Sequence, residues 1–306
     1  MGPALKTKHL IIIGDSRDMR EVEDESVHLI VTSPPYPMIE MWDELFASLD
    51  ERVKEALDEA LGKGDPTKRR KQALKAWRLM HDVLDDTWRE CWRVLVEGGL
   101  MCINIGDALR NIGGSFQLFP NHAEVIRRCL SMGFTVLPYI LWKKPTNRPR
   151  YKGKGCFLGS GFLPPNAYVT LDCEFILIFR KGGPRKFKPK DPLRYASRFT
   201  KRERDSWFTQ IWDIVGTKQT VHERRVAAFP EEIPRRLIRM FSVIGDTVLD
   251  PFLGTGTTTK VAMELMRNSI GYEIDKELKP IIMEKVGLGQ TRLTGDVEIK
   301  IIERLT

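Results

Sequence analysis

Apolar residues in this chain come in short unbroken runs that stop at glycine or proline, and longer stretches with helical spacing lie between them. Residues 10–13 run straight into Gly14-Asp15, and residues 27–31 stop at Ser33-Pro34-Pro35-Tyr36. Both read as buried strands that end in turns. Two successive prolines lack N–H groups and have fixed φ, so the second turn is a rigid loop. From about residue 39 to 96 the pattern is helical, and Gly62-Lys63-Gly64-Asp65-Pro66 divides it into two helices. Trp77, Met80, Leu84, Trp88 and Trp92 form a near-helical stripe there, which reads as a core face rather than a binding platform. Gly98-Gly99 is expected to end the helix and residues 100–105 to form the next strand. Beyond it the pattern predicts a helix over 121–132 and a strand over 135–142. A strand over 168–179 forms one arm of a hairpin, and 181–210 is an irregular excursion. A helix over 230–241 starts with Glu231-Glu232 at its positive end, and a strand at 247–250, a helix at 257–266 and a strand at 269–273 follow. Alternating strands and helices predict an α/β architecture, a mainly parallel sheet with helices on both faces.

Composition narrows the class without deciding it. With 42% hydrophobic and 29% charged residues over 306 positions, the chain can bury a sizeable core as one domain, 1–306. No run of apolar residues reaches membrane-spanning length, and Gly14-Asp15 comes too early for a secretory signal, so a cytoplasmic protein is expected. The five cysteines (Cys91, Cys102, Cys129, Cys156, Cys173) show no CxxC, which implies a reducing compartment, no disulfide framework and no metal site. Abundant Lys, Arg, Glu and Ile with few Gln point to a thermophilic source. The net charge of +8 gains meaning from its location. Residues 143–154 carry six basic and no acidic side chains, and 181–204 carry ten basic side chains against Asp191 and Glu203. Tyr151, Phe187, Tyr195, Phe199 and Trp207 lie in or beside these runs. Cations mixed with aromatics suit a nucleic-acid partner, with Lys143, Lys144, Arg148, Arg150, Lys152, Lys186, Lys188 and Arg198 as candidate contacts.

Two segments carry chemistry. In Val248-Leu-Asp250-Pro251-Phe252-Leu-Gly254-Thr-Gly256-Thr257-Thr258-Thr259, a buried strand delivers an acidic residue to a glycine turn that opens a helix. Glycine allows close backbone approach to a ligand, and the helix start offers unpaired N–H groups. Thr258 stands where a nicotinamide-binding loop has its third glycine, and Glu273 ends the next strand, placed to accept from two ribose hydroxyls. The second segment is Thr32-Ser33-Pro34-Pro35-Tyr36. An exocyclic base amine is a poor nucleophile because its lone pair is delocalised into the ring. Acceptors fixed at its two hydrogens, the Ser33 hydroxyl and the Pro34 carbonyl, favour a pyramidal, more nucleophilic nitrogen. Tyr36 offers a ring on which a flipped base can stack.

Together these segments resemble the catalytic and cofactor motifs of the amino-methyltransferases that modify cytosine N4 or adenine N6, in the permuted order with the catalytic motif first. The resemblance covers nearly the whole chain. It includes Gly14-Asp15-Ser16, residues 140–143, 173–181 and 229–234. It implies a Rossmann-like methyltransferase fold, a seven-stranded sheet with one antiparallel strand, and S-adenosylmethionine as cofactor. It assigns catalysis to Ser33, Pro34, Pro35 and Tyr36. It assigns cofactor contact to Asp15, Ser16, Thr32, Asp250, Pro251, Phe252, Gly254, Gly256, Thr257, Thr258 and Glu273. Ser before Pro-Pro-Tyr is similar to the cytosine-N4 members. Carbon-5 methylation needs a nucleophilic cysteine, and no cysteine here follows a proline. Only about thirty residues, 181–210, stand where a recognition domain is expected, alongside a helical insertion at about 40–75. The balance therefore falls on structured RNA, such as a ribosomal cytidine or ribosomal subunit, with duplex DNA as the alternative. A nicotinamide oxidoreductase and a non-catalytic nucleic-acid-binding protein are the rival classes. The first leaves Ser-Pro-Pro-Tyr without a task, and the second leaves Asp250, the glycine loop and Glu273 unexplained. The oligomeric state stays open.

Overall fold

The computed structural model describes residues 6–144, 169, 171–215, 229–287 and 297–304. Its strands are β1 (Thr7–Ile13), β2 (Val27–Thr32), β3 (Leu95–Ile105), β4 (Ala108–Ile112), β5 (Ser115–Phe119) and β6 (Thr135–Lys143). They continue with β7 (Cys173–Arg180), β8 (Ile211–Asp213), β9 (Thr247–Asp250), β10 (Asn268–Glu273) and β11 (Val297–Glu303). Among the described residues the main sheet has nine strands in the order β11-β1-β10-β9-β2-β3-β7-β6-β8. Of these strands only β7 runs antiparallel within the main sheet, pairing with β3 on one side and β6 on the other. Strands β4 and β5 form a separate hairpin. The expected seven strands are all present, and β8 and β11 are added at the two edges. At three residues β8 is too short to carry a period, and β11 alternates half-buried and exposed positions as a one-sided edge does.

Helices cover both faces because adjacent strand residues point to opposite sides. Ile30, Met101, Ile103 and Phe179 pack with Trp88 of α3 (Pro66–Val94) and Val125 of α4 (Asn121–Ser131). Their neighbours Leu29, Cys102 and Ile178 pack with the other layer, with Leu237 of α7 (Glu232–Phe241) and Val261 of α8 (Thr257–Glu264). Trp77 and Trp88 of the aromatic stripe are buried in the core. The insertion holds α1 (Asp43–Leu49) and α2 (Glu51–Leu61), divided at Asp50, whose carboxylate caps α2 by accepting from Arg52 N at 2.9 Å. Helix α3 ends at Val94, ahead of Gly98-Gly99. Those glycines lie inside β3 at a bulge, where pairing with β2 jumps from Val27–Leu95 to Leu29–Leu100. Gly98 sits at φ +79° with the Arg185 backbone against it, a place no side chain fits. The stretch 181–210 is also more ordered than its sequence suggests, with α5 (Pro192–Ala196) and α6 (Lys201–Trp207), the latter opened by a Thr200–Glu203 capping box.

The parallel topology brings the chemistry to one edge. The strand ends carrying Gly14, Glu273, Asp250, Thr32 and Ile105 all lie there, joined by the first residues of the antiparallel β7. Ligands of open α/β sheets bind at this carboxyl edge. No helix among the described residues is long and apolar enough to cross a membrane.

Candidate active site

Asp250 is the knot between the two motifs. Its carboxylate accepts from Thr32 Oγ1 and from Thr258 Oγ1, each at 2.6 Å, and from Phe252 N at 3.1 Å. The three side chains are 1–2% exposed, so they face one another rather than an open site. Burial pushes the Asp250 carboxyl up to about 6, against the pull of those hydrogen bonds. Asp250, Thr32 and Thr258 therefore fix the placement of the loops, because the Ser-Pro-Pro-Tyr segment and the glycine loop are tied to one carboxylate. Gly254 and Gly256 have φ of +57° and +89°, in the left-handed region, and Gly256 caps α8. Thr257 and Pro251 are buried beneath the turn, while Phe252 is half-buried with its ring edge-on to Trp88.

Glu273 stands at the end of β10, beside the glycine turn. Its Oε2 accepts from Gly254 N and its Oε1 from Asp275 N, both at 2.8 Å. Burial raises this carboxyl to about 7. Gly14 N donates to Glu273 O, which holds the β1 loop beside it. In that loop Asp15 accepts from Arg17 N and Nε, and buried Ser16 meets Thr87 Oγ1 of α3 at 3.3 Å. Arg304, at the end of β11, donates to Asp15 O and pairs with Glu21, packing where any side chain on Gly14 would stand.

The Ser-Pro-Pro-Tyr loop belongs to a second polar cluster. Tyr36 Oη donates to Glu174 Oε2 at 2.9 Å, Asn104 Nδ2 donates to both of those atoms, and Ser33 Oγ lies 3.1 Å from Tyr36 Oη. Lys144 pairs with the other oxygen of Glu174. Burial and the adjacent Glu174 carboxylate push the Tyr36 phenol well above its ordinary value, so it keeps its proton. That single proton goes to Glu174, so the Ser33 hydroxyl must be the donor in its contact with Tyr36. The Ser33 lone pairs are thereby left for another donor. No hydrogen bond to Pro34 O is made among the described residues. Gly106 is flush against the Tyr36 ring, where an added Cβ would come within 3.1 Å of it.

Asn121, fully buried, fixes the loop from behind. Its Nδ2 donates to Pro37 O and Gly106 O, both at 3.0 Å, and its Oδ1 receives Trp77 Nε1 at 2.7 Å and His81 Nε2 at 3.1 Å. Burial holds His81 down to about 3, hence neutral, and it serves as a structural donor. His122, another structural histidine, bonds Asp107 at 2.8 Å and stacks on Phe175.

The candidate nucleic-acid contacts divide. Lys143 is exposed at the catalytic edge, while Lys144 is occupied by Glu174 and lies over the Trp142 ring. Lys186, Lys188 and Arg198 follow the far end of β7, and Arg198 lines a cavity at the opposite edge of the sheet, so these three do not flank the Ser-Pro-Pro-Tyr loop, although the segment returns to that edge at Gln210, whose carbonyl accepts from Leu141 N at 2.7 Å. Antiparallel β7 carries the chain away from the site, which the charge pattern alone does not reveal. Arg148, Arg150, Lys152 and Tyr151 lie outside the described residues. Glu174, Asn104 and Asn121 are site residues the sequence reading missed. The available signal was a lone polar residue within an apolar strand, as in Cys-Glu-Phe-Ile-Leu-Ile and Cys-Ile-Asn-Ile.

A family model described as DNA methylase (N6_N4_Mtase) matches residues 27–284. The Type II methyltransferase M.MjaI of Methanocaldococcus jannaschii is 64% identical over 302 residues, 98% of each chain. The Type II methyltransferase M.MthZI of Methanothermobacter thermautotrophicus is 47% identical over 92% of this chain and 77% of its own. Among solved structures, a Thermus thermophilus protein complexed with S-adenosyl-L-methionine, assigned provisionally as a DNA modification methylase, superposes with a TM-score of 0.68. It is 31% identical over 95% of this chain and 99% of its own. None of these names an RNA enzyme, so the balance drawn from the short recognition segment is reversed.

Proposed function

This chain belongs to the DNA methylase family, and from that premise we propose that it methylates the exocyclic N4 amine of a cytosine in duplex DNA. It is an S-adenosylmethionine-dependent methyltransferase. DNA replaces structured RNA as the polymer because both named relatives are Type II methyltransferases and the family is one of DNA methylases. The observation that carries the site reading is the direction of the hydroxyl chain, since Ser33 gives its proton to Tyr36 and presents lone pairs to an amine. Serine at this position favours cytosine over adenine as the base.

The residues present fit the cofactor. Glu273 is a nearly buried carboxylate that ribose hydroxyls would stabilise in its ionised form, the Gly254–Gly256 turn lets a ligand approach the backbone, and Asp15 and Ser16 border the same edge. When bound, S-adenosylmethionine supplies an electrophilic methyl on a positively charged sulfur. Tyr36 stacks the flipped base, and Ser33 Oγ with Pro34 O accepts the two amine hydrogens, drawing the nitrogen lone pair out of the ring plane towards the methyl. Transfer leaves a surplus proton on N4. Ser33 Oγ takes it and releases its own to Tyr36 Oη, which passes its proton to Glu174, so N4 becomes neutral and the proton ends on Glu174 as a neutral carboxylic acid beside Lys144. The unit that does this spans 1–306, with the 40–75 helices packed against α3 as part of it.

Labelled S-adenosylmethionine offered to mixed-sequence duplex DNA and to total RNA tests the assignment. N4-methyldeoxycytidine is the expected nucleoside. N4-methylcytidine from RNA alone would overturn the polymer, and N6-methyldeoxyadenosine would overturn the base.

Glu273 gives a pH signature. Its folded value of about 7 lies above the usual 4.5, so near neutrality the free protein holds a proton there that ribose contact must displace. S-adenosylmethionine affinity is expected to be flat above pH 8 and to weaken towards about tenfold per unit well below pH 7. Calorimetric titration of wild type and Glu273→Gln checks this, because the variant should bind weakly at every pH and lack the slope.

A further inference from the structure

A cavity of about 870 Å³ opens at the sheet edge opposite the catalytic loops, and the methyl-transfer reading gives it no task. Its walls come from the start of β2 (His28), the bulge of β3 (Gly98, Leu100), the end of β7 (Arg180), the α5–α6 segment and the end of α7. Among the described residues, seven cationic side chains line it, namely Arg180, Arg185, Arg194, Arg198, Lys201, Arg204 and Arg239, and no acidic residue does. Four of them have carboxylate partners: Arg185 with Asp246, Arg239 with Glu203, and both Arg204 and Lys201 with Asp205. Arg180, Arg194 and Arg198 have none among the described residues. Arg180 Nε donates to Gly182 O, and the Phe187 ring has the Arg194 guanidinium at 4.6 Å and that of Arg185 at 4.7 Å. Phe187 thus brings two guanidiniums against one ring in the lining of the cavity. His28 does not add charge, since burial lowers it and its Nδ1 accepts from Thr247 N.

Three guanidiniums without a carboxylate partner among the described residues, lining one cavity, call for an anion of several charges. Guanidinium forks match phosphate oxygens in geometry, and the cavity is of the size that holds a ligand. Strand β2 has six residues, so this cavity lies about 20 Å from the catalytic loop, beyond reach of the target base itself. We propose that it is a second phosphate site, which holds the backbone of DNA flanking the target and so lets the protein engage a longer duplex than the catalytic edge alone. The duplex as ligand rests on the DNA reading above, whereas the phosphate chemistry does not.

The test compares wild type with Arg180→Gln/Arg194→Gln/Arg198→Gln, using a 12-base-pair duplex, a 40-base-pair duplex with the same central sequence, and inorganic tripolyphosphate. Losing three phosphate contacts should reduce the slope of log affinity against log salt by about 2 to 3 for the long duplex only. S-adenosylmethionine binding and methylation of the short duplex should be unchanged, which also shows that the variant folds. Tripolyphosphate binding lost in the variant, with no change for either duplex, would support the site and make its ligand a free polyphosphate. Unaltered long-duplex affinity together with no tripolyphosphate binding by wild type would overturn the proposal. If neither duplex is ever methylated but the variant still loses tripolyphosphate, the DNA reading fails and the phosphate site stands.

Discussion

Tyr36→Phe is expected to lower kcat about a hundredfold while leaving S-adenosylmethionine affinity unchanged, the size of effect that one preorganised catalytic hydrogen bond contributes. The substitution keeps the ring on which a base stacks and deletes only the hydroxyl. Ser33, Asn104 and Glu174 then lose the atom they share, and the Ser33 proton is no longer directed away from the incoming amine. Tyr36→Ala should add a loss of stacking worth about 1–3 kcal/mol, seen as a raised KM for DNA. Glu174→Gln separates position from proton transfer, because the amide fills the same space but cannot take up a proton. Single-turnover methylation with saturating cofactor reads all three variants. Full kcat in Tyr36→Phe would remove the hydroxyl chain from the mechanism, while a raised cofactor Kd would show that the motif serves binding instead.

The second large effect is expected at Asp250. Asp250→Ala leaves the hydroxyls of Thr32 and Thr258 and the Phe252 amide without their common acceptor in a fully buried place. Each orphaned buried group costs about 1–3 kcal/mol, so a total near ~3 kcal/mol after relaxation is expected, with a lowered thermal midpoint. Because the same carboxylate ties the glycine loop to the catalytic loop, cofactor affinity should fall by about two orders of magnitude or more, equivalent to about 3 kcal/mol. Thermal unfolding and cofactor titration check the two halves separately. Lost affinity with an unchanged midpoint would mean that Asp250 contacts the ligand directly, as the motif resemblance implies. A lowered midpoint with intact affinity would mean that the loop keeps its shape without the knot.

The sequence by itself determined the architecture and both motifs. Leu-Ile-Ile-Ile before Gly14, the strand before Ser33-Pro34-Pro35-Tyr36 and the Asp250–Gly256 turn were legible because buried strands show as apolar runs, and glycine and proline mark where they must stop. The edge strands β8 and β11 were not, since three residues carry no period and a one-sided edge leaves a weak one. Charge runs gave the composition of a nucleic-acid contact but not its direction, because only the antiparallel course of β7 carries Lys186, Lys188 and Arg198 away from the catalytic loop. The tertiary structure alone decided that Asp250 faces two threonines and that the Ser33 proton is engaged by Tyr36. Both depend on partners 138 to 218 residues distant in the chain, Glu174 for Tyr36 and Thr32 for Asp250. A hydrogen bond's direction follows from who else competes for the proton, and only folding sets that company.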